Sequence, residues 1–150
     1  MLSNTTIDPL VINFPMLIQA FSRGRKSGSL LELTGVGTVT INTLALFRIF
    51  SELEIERSRR KFDPSSSYAK RWAAKEACSK ALGIGLRMGI SWKEMHVVNL
   101  KSGQPELIIE GKAKYFLEKM TPRGFSTKVS VSLTDDYPWA KAIVIIEGIA

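Results

Sequence analysis

One segment of the chain, from Tyr68 to Lys80, has the spacing of an α-helix. Large side chains recur at every fourth residue, and alanines recur at the same interval beside them: Tyr68, Trp72, Glu76 and Lys80, with Ala69, Ala73 and Ala77. Residues four apart lie above one another on one face of a helix. The pattern predicts a helix from about Ser67 to Leu82 that ends at Gly83, where glycine removes the steric cost of a helix C-terminus.

The sequence from Arg48 onward predicts six further elements around this helix. We expect a short helix that ends near Lys61, a hairpin, another helix and two closing strands, at 95–100 and 106–110, at 112–120, and at 129–133 and 142–146. The order helix, helix, strand, strand, helix, strand, strand predicts an α+β domain with a mainly antiparallel sheet packed against helices. Residues 1–45 have no sustained period, so we expect an atypical segment of unclear structure there, followed by one domain at 46–150.

The composition is that of a single globular domain. The chain has 150 residues, of which 45% are hydrophobic and 23% charged. Its one cysteine, Cys78, excludes an intrachain disulfide and a cysteine cluster for zinc, and we expect it to be packed beneath its helix in a protein of the reducing cytoplasm. The longest apolar stretch, 10–21, contains polar residues and is too short to cross a bilayer, so we expect no membrane partner.

The charge balance predicts an acidic partner. Twenty-one lysines and arginines stand against fourteen acidic residues, a net charge of +7, and much of the excess lies at 23–26 and 57–61. Such an excess attracts nucleic acids, anionic membranes, phosphorylated cofactors and acidic proteins alike. Charge by itself leaves these four classes open.

Glu76 is the residue of the predicted helix that most needs an explanation. A carboxylate beside packed alanines is costly unless it is paired or binds a cation. It could form an ion pair with Lys80 one turn later, which is worth a few tenths of a kcal/mol in an isolated helix. It could instead bind a metal ion while neighbouring lysines hold phosphates, which suits the preference of Mg²⁺ for oxygen ligands.

The segment Arg71-Trp72-Ala73-Ala74-Lys75-Glu76-Ala77-Cys78-Ser79-Lys80-Ala81-Leu82-Gly83 resembles the signature helix of the holo-acyl-carrier-protein synthases, of the form (F/W)-A-A-K-E-A-x-x-K-A-L-G. Four later segments resemble the same family in the same order, at 85–95, 97–105, 132–136 and 142–147. The resemblance covers about 48–147, or two-thirds of the chain. A single short motif would be weak evidence, whereas an ordered set of five is specific.

The resemblance implies a phosphopantetheinyl transferase. Such an enzyme moves 4′-phosphopantetheine from coenzyme A to a serine of an acidic apo-acyl-carrier protein and releases 3′,5′-ADP, for fatty acid biosynthesis. It implies a cytoplasmic homotrimer with active sites between subunits, and Mg²⁺ bound by Glu76 and an N-terminal aspartate. It also implies catalytic roles for Glu76 and Lys80, and contacts to coenzyme A from Arg71, Lys75, Lys80 and Ser132.

The N-terminal part of the chain departs from the family pattern. Family members begin with a strand of the form G-I-G-x-D, whose aspartate is the second metal ligand. The nearest string here, at 35–39, has Val39 at the acidic position, and Asp8 lacks the glycines. We therefore expect that 1–45 is not the family's own N-terminus. Two alternatives follow: a catalytically impaired relative that only binds coenzyme A or a carrier protein, and a basic nucleic-acid-binding module. The resemblance favours the enzyme, with no nucleic acid as partner.

Overall fold

The computed structural model describes residues 10–13, 31–32, 40–41, 43–84, 88–136 and 139–149, and side chains from Leu46 onward apart from Ser65. The glycine string with Val39, and Asp8, lie outside the described residues. The structure has four α-helices within these ranges, and a 3₁₀ turn at Trp92–Glu94: α1 (Thr43–Ile49), α2 (Glu52–Arg59), α3 (Pro64–Ala81) and α4 (Gly111–Met120). None of the described helices is long and apolar enough to span a membrane.

The strands of the described residues form antiparallel pairs, which confirms the predicted α+β class. They are β1 (Leu10–Asn13), β2 (Leu31–Glu32), β3 (Thr40–Ile41), β4 (Met95–Asn99), β5 (Pro105–Ile109), β6 (Ser126–Asp136) and β7 (Trp139–Ile149). The order in the largest sheet is β1-β7-β6, while β2 pairs with β3 and β4 pairs with β5. The two closing strands are longer than the predicted 129–133 and 142–146, because their ends continue the same ladder from Ser126↔Ile149 to Asp136↔Trp139.

The first predicted helix is two helices. The helix is interrupted at Ser51, whose hydroxyl accepts a hydrogen bond from the backbone nitrogen of Glu54 at 3.3 Å. The Glu54 carboxylate in turn accepts one from the backbone nitrogen of Ser51 at 2.9 Å. This reciprocal capping box satisfies backbone donors at the start of α2 and so separates it from α1.

The central helix begins earlier than predicted and ends where predicted. The side chain of Asp63 accepts a hydrogen bond from the backbone nitrogen of Ser66 at 3.4 Å, and Pro64 occupies the first helical position. Proline is favoured there because its missing N–H would have no partner in a helix's first turn. The serines after it therefore belong to α3 rather than to a loop. At the other end Gly83 has a φ of +65°, and the predicted stop is confirmed.

The core lies between α3, the sheet and the β4–β5 hairpin. Fully buried alanines of α3, among them Ala73 and Ala77, pack in one cluster with Ala142, Val144 and Ile146 of β7. Alanine side chains are short, so the helix axis lies close to the sheet. A second, smaller cluster around Phe50 joins α2 to the beginning of α3.

A polar contact ties the first turns of α3 to β6. The ammonium of Lys70 lies 2.6 Å from the carboxylate of Asp135, and the hydroxyl of Ser66 donates a hydrogen bond to the same carboxylate. Partial burial by itself raises the pKa of Asp135, but the two hydrogen bonds outweigh it and hold this pKa below its usual value of 3.8. The ionised carboxylate therefore stabilises the fold.

We expect Asp135→Asn to lower the free energy of unfolding at neutral pH by at most about 1 kcal/mol, because the ion pair is partly exposed to solvent. The pKa of Asp135 is lower in the folded protein, so its contribution is present above the ordinary carboxyl pKa and is lost as the pH falls through the folded value. Urea denaturation at neutral pH and at about pH 2 measures both limits. Asp136→Asn is the matched control, and equal losses in the two variants would contradict the assignment.

Candidate functional site

Four charged residues that the sequence singled out lie on α3, but in different surroundings. Lys75 is 0% exposed and Arg71 is 4% exposed. The side chain of Glu76 is 23% exposed and that of Lys80 is 54% exposed. The structure therefore divides the predicted site into an interior pair of cations and an outward pair of opposite charges.

Glu76 and Lys80 form the outward pair. The ammonium of Lys80 lies 3.8 Å from the carboxylate of Glu76, as expected for residues one helical turn apart. A contact this long between partly exposed groups holds neither side chain firmly. Within the described part of the chain Lys80 is the one ion-pair partner of Glu76, so a ligand could take its place at little cost.

This carboxylate could supply one ligand to a metal ion. Among the described residues, no three histidine, cysteine, aspartate or glutamate side chains cluster closely enough to bind a metal by themselves. Mg²⁺ is commonly bound by one or two carboxylates, with water and substrate phosphates as the remaining ligands. A half-buried Glu76 with a loosely held partner fits that mode of binding.

Lys75, which the resemblance implies lies near the phosphates of coenzyme A, belongs to the interior pair. Its ammonium is inside the protein, 2.8 Å from the carboxylate of Glu54. It also donates hydrogen bonds to the backbone oxygens of Trp92 at 2.9 Å and Met95 at 2.7 Å. An ammonium has three donors, and these three acceptors use them all. Burial lowers the pKa of Lys75, and the nearby Glu54 carboxylate partly opposes that shift. Within the described residues this ammonium has no free donor, and its contact to coenzyme A stays a prediction.

Glu54 is the residue that sequence reasoning missed. Its carboxylate is fully buried and accepts hydrogen bonds from the backbone nitrogens of Val97 at 3.1 Å and Ser51 at 2.9 Å, besides its ion pair with Lys75. The spacing Ser51-x-x-Glu54 is a capping-box signal and could have marked the residue. Nothing in the sequence pattern indicates its contact with Lys75.

Arg71 lies beside Asn99, at the turn end of the β4–β5 hairpin. Its guanidinium donates to the backbone oxygen and hydroxyl of Ser67, at 3.1 and 2.6 Å, and to the side-chain oxygen of Asn99 at 3.4 Å. Its Nε has no partner among the described residues. Burial lowers the pKa of Arg71, and Glu54 opposes the shift. Arg57 donates to the backbone oxygen of the same Asn99 at 3.1 Å, so two guanidinium groups meet there.

Ser132 lies on the other face of the sheet. It pairs with Ile143 in the β6–β7 ladder, whereas its neighbours Val131 and Leu133 pack against the core cluster that contains the α3 alanines. Successive side chains of a strand point to opposite faces. The structure therefore does not bring Ser132 together with Glu76 within one chain.

Two minor residues have clear surroundings. Cys78 is completely buried, as predicted, and burial raises the pKa of its thiol to about 12, which makes it unreactive. His96 on β4 is mostly enclosed. Its side chain is 12% exposed, and its Nδ1 lies 3.2 Å from the backbone oxygen of Lys93.

Comparison with known proteins identifies the class. The model of the 4′-phosphopantetheinyl transferase superfamily matches residues 39–141, and the chain belongs to that superfamily. Within it, the chain belongs to the holo-[acyl-carrier-protein] synthase family. A relative of that name from Cereibacter sphaeroides is 53% identical over 77% of this chain and 93% of its own length. One from a Ruegeria species is 56% identical over 67% of this chain and 71% of its own.

Solved structures of the family have the same fold. The holo-[acyl-carrier-protein] synthase of Neisseria meningitidis matches with a TM-score of 0.64 at 24% identity, over 93% of this chain and 94% of that one. The Helicobacter pylori enzyme in complex with coenzyme A matches with a TM-score of 0.55 at 29% identity, over 68% of this chain and 80% of that one. The family expected from the sequence is confirmed.

We expect Lys75→Ala to lower the free energy of unfolding by about 3–5 kcal/mol, because it leaves the Glu54 carboxylate buried without a counter-charge. Lys80→Ala on the same helix removes an exposed ammonium and should change it by less than about 0.5 kcal/mol. Urea denaturation followed by circular dichroism measures both. Equal, small losses would mean that Lys75 is not in the interior pair.

Proposed function

We propose that the chain transfers 4′-phosphopantetheine from coenzyme A to a serine hydroxyl of an apo-acyl-carrier protein and releases 3′,5′-ADP, which supplies holo-carrier for fatty acid biosynthesis. The observation that carries the proposal is the outward Glu76–Lys80 pair, which stands on the helix that matches the family signature. Relatives more than half identical to the chain are named for this reaction. Family structures with coenzyme A bound support the donor.

In the proposed site Glu76 is a ligand of Mg²⁺. The cation, when bound, neutralises charge on the pyrophosphate of coenzyme A. Glu76 would hold the cation from a helix whose inner face packs in the core. Lys80, with its ammonium partly in solvent, lies beside the same phosphates and stabilises the charge that develops on the leaving group. Arg71 is almost entirely enclosed and donates to Ser67 and Asn99, so its contact to coenzyme A stays a prediction of the family resemblance.

The proposed reaction is an in-line displacement at phosphorus. The serine oxygen of the carrier forms a bond to the phosphorus that bears pantetheine, and the bond from that phosphorus to the bridging oxygen breaks. The bridging oxygen leaves with 3′,5′-ADP, and the serine proton is lost to a base or an ordered water. Phosphoryl transfer of this kind depends mainly on positioning and on neutralising charge, which are the tasks given to Glu76 and Lys80.

We place the active sites between subunits of a homotrimer. Ser132 is on the sheet face opposite α3, so it contacts coenzyme A bound at Glu76 only if that Glu76 belongs to a neighbouring chain. The half-buried Ile143 and Ile145 on the same outer face of β7 support a protein contact there.

The carrier protein is the proposed acidic partner. The end of α2 exposes Arg59, Arg60 and Lys61, and the chain has a net charge of +7. Opposite charge on two proteins accelerates their encounter. A single, buried cysteine supports a reducing, cytoplasmic location.

One assay separates the proposal from its alternatives. Metal-dependent transfer of labelled phosphopantetheine to an apo-carrier protein supports the enzyme. Binding of coenzyme A without transfer would indicate the impaired relative. Affinity for DNA or RNA that falls steeply with salt, with no transfer, would indicate a nucleic-acid-binding module.

We expect Glu76→Ala to lower turnover by at least about 100-fold, since metal-ion catalysis contributes several kcal/mol. Stability should be nearly unchanged, because the pair that is lost is loose. Glu118→Ala is the matched control: Glu118 pairs with Lys114 at 4.0 Å, one turn apart on α4. The measurement is incorporation of labelled phosphopantetheine, with circular dichroism to follow the fold. Near-normal turnover of Glu76→Ala would remove Glu76 from the mechanism.

We expect Lys80→Ala to weaken coenzyme A binding roughly tenfold or more, because a charge-assisted contact to phosphate is worth about 1.5–3 kcal/mol. Calorimetric titration with coenzyme A and with 3′,5′-ADP measures the loss directly. Lys114→Ala, which removes a similarly exposed lysine from α4, should bind as the parent does. Unchanged affinity in Lys80→Ala would place the phosphates elsewhere.

A further inference from the structure

We infer that Glu54 is a positioning residue for the proposed reaction. Through its buried ion pair with Lys75 it fixes the rotation of α3 about its own axis, and so the direction in which Glu76 and Lys80 face. The inference rests on the proposed function for its effect on turnover. Its structural part is independent of that function.

The residues on the inner face of α3 do little by themselves to fix the rotation of the helix about its axis. Its fully buried residues are mostly alanines, at Ala69, Ala73, Ala74 and Ala77. A methyl group fills space but does not interlock with a neighbouring side chain as a larger residue does. A helix packed on alanines alone can turn by several degrees with a small loss of contact. Longer side chains therefore do more to fix the rotation, and Lys75 is the largest fully buried side chain described on α3.

The ion pair is placed to fix that rotation. The Lys75 ammonium reaches from α3 to three acceptors on two other segments, namely Glu54 of α2 and the backbone oxygens of Trp92 and Met95. The Glu54 carboxylate is held in turn by backbone nitrogens of Ser51 and Val97. All three donors of the ammonium are used and all five contacts are 3.1 Å or shorter, so a rotation of α3 breaks several of them at once.

Glu76 follows Lys75 directly in the sequence. Neighbouring residues of an α-helix point about 100° apart, so fixing Lys75 toward the interior fixes Glu76 toward the outer side of the helix. A displacement of about 1 Å at a reacting group can lower a rate by about 100-fold. The ion pair therefore acts on the reaction through Glu76, without touching the substrate.

A pair of tryptophans reports on this geometry. The rings of Trp72 on α3 and Trp92 in the 3₁₀ turn lie 4.6 Å apart with an angle of 58° between their planes. Trp92 is also the residue whose backbone oxygen accepts from Lys75. Two indoles this close give a coupled circular dichroism signal that depends on their relative orientation, so the signal follows the rotation of α3 against the turn.

Positioning can be separated from stability because buried ion pairs are often replaceable. Exchanging both partners for apolar residues of similar volume is commonly neutral or stabilising. The double variant Glu54→Met/Lys75→Met also loses the hydrogen bonds from Ser51 and Val97 to Glu54, so some loss of stability is expected. A role in stability alone predicts that the folded double variant works normally. A positioning role predicts that it folds but works poorly.

The experiment uses the full chain with Trp139→Phe, so that Trp72 and Trp92 give the tryptophan signal. We expect Glu54→Met/Lys75→Met to unfold cooperatively, to change the coupled tryptophan signal and to lower kcat by roughly 10- to 100-fold. The Mg²⁺ concentration needed for half-maximal rate should rise, while KM for the carrier protein should stay close to the parent value. Lys114→Met/Glu118→Met, which removes an exposed pair on α4, is the control and should match the parent in every measurement.

Each outcome decides the matter. A folded double variant with the parent's tryptophan signal and kcat overturns the inference. Glu54→Gln/Lys75→Gln is the second variant, and if neither double variant folds, no separable positioning role exists and the inference is also overturned. If the parent itself transfers no phosphopantetheine, the proposed function fails, whereas an altered tryptophan signal in the double variant would still support the control of α3 rotation.

Discussion

The buried ion pair between Lys75 and Glu54 is the interaction on which the arrangement of this domain depends. Both side chains are removed from water, and removing either charge alone from such a pair is costly. Burying the two charges also costs free energy, and hydrogen bonds to backbone groups offset that cost. Two carbonyl oxygens accept from the ammonium and two N–H groups donate to the carboxylate, and they come from the start of α2 and from the segment 92–97. Three parts of the chain that are distant in sequence are thereby held in one relative position.

Two adjacent residues of the signature helix consequently have opposite tasks. Lys75 belongs to the interior and builds the domain, while Glu76 faces outward and, in the proposed function, binds the metal. The motif places both charges side by side, and a motif does not say which of its residues faces which way. Helical geometry supplies that information once one buried partner is known, because the directions of all other residues on α3 follow from it.

The fold could be predicted from local patterns, and the site could not be predicted completely. The alternation of side chains and the turn residues were enough to predict the β4–β5 hairpin, and Gly83 was enough to predict the end of α3. The start of α3 was missed because its three serines resemble a loop, whereas Pro64 after a capping Asp63 begins the helix. The contact between Lys75 and Glu54 could not be predicted, because the two residues lie 21 positions apart and no periodic signal connects them. The family resemblance implied a contact from Lys75 to the phosphates, and that contact stays a prediction. Strand alternation shows that Ser132 and Val131 face opposite sides, but only the packing shows which side is α3.

The distribution of positive charge follows from the same geometry. Lys75 is neutralised inside the protein and Arg71 is almost entirely enclosed, so neither contributes much to the field at the surface. Among the described residues, exposed cations that a partner can encounter include those of 57–61 and Lys80. The two groups lie at opposite ends of α3: 57–61 just before the helix begins, and Lys80 in its last turn. In the proposed function the first group attracts the acidic carrier protein, and Lys80 contacts the phosphates of coenzyme A.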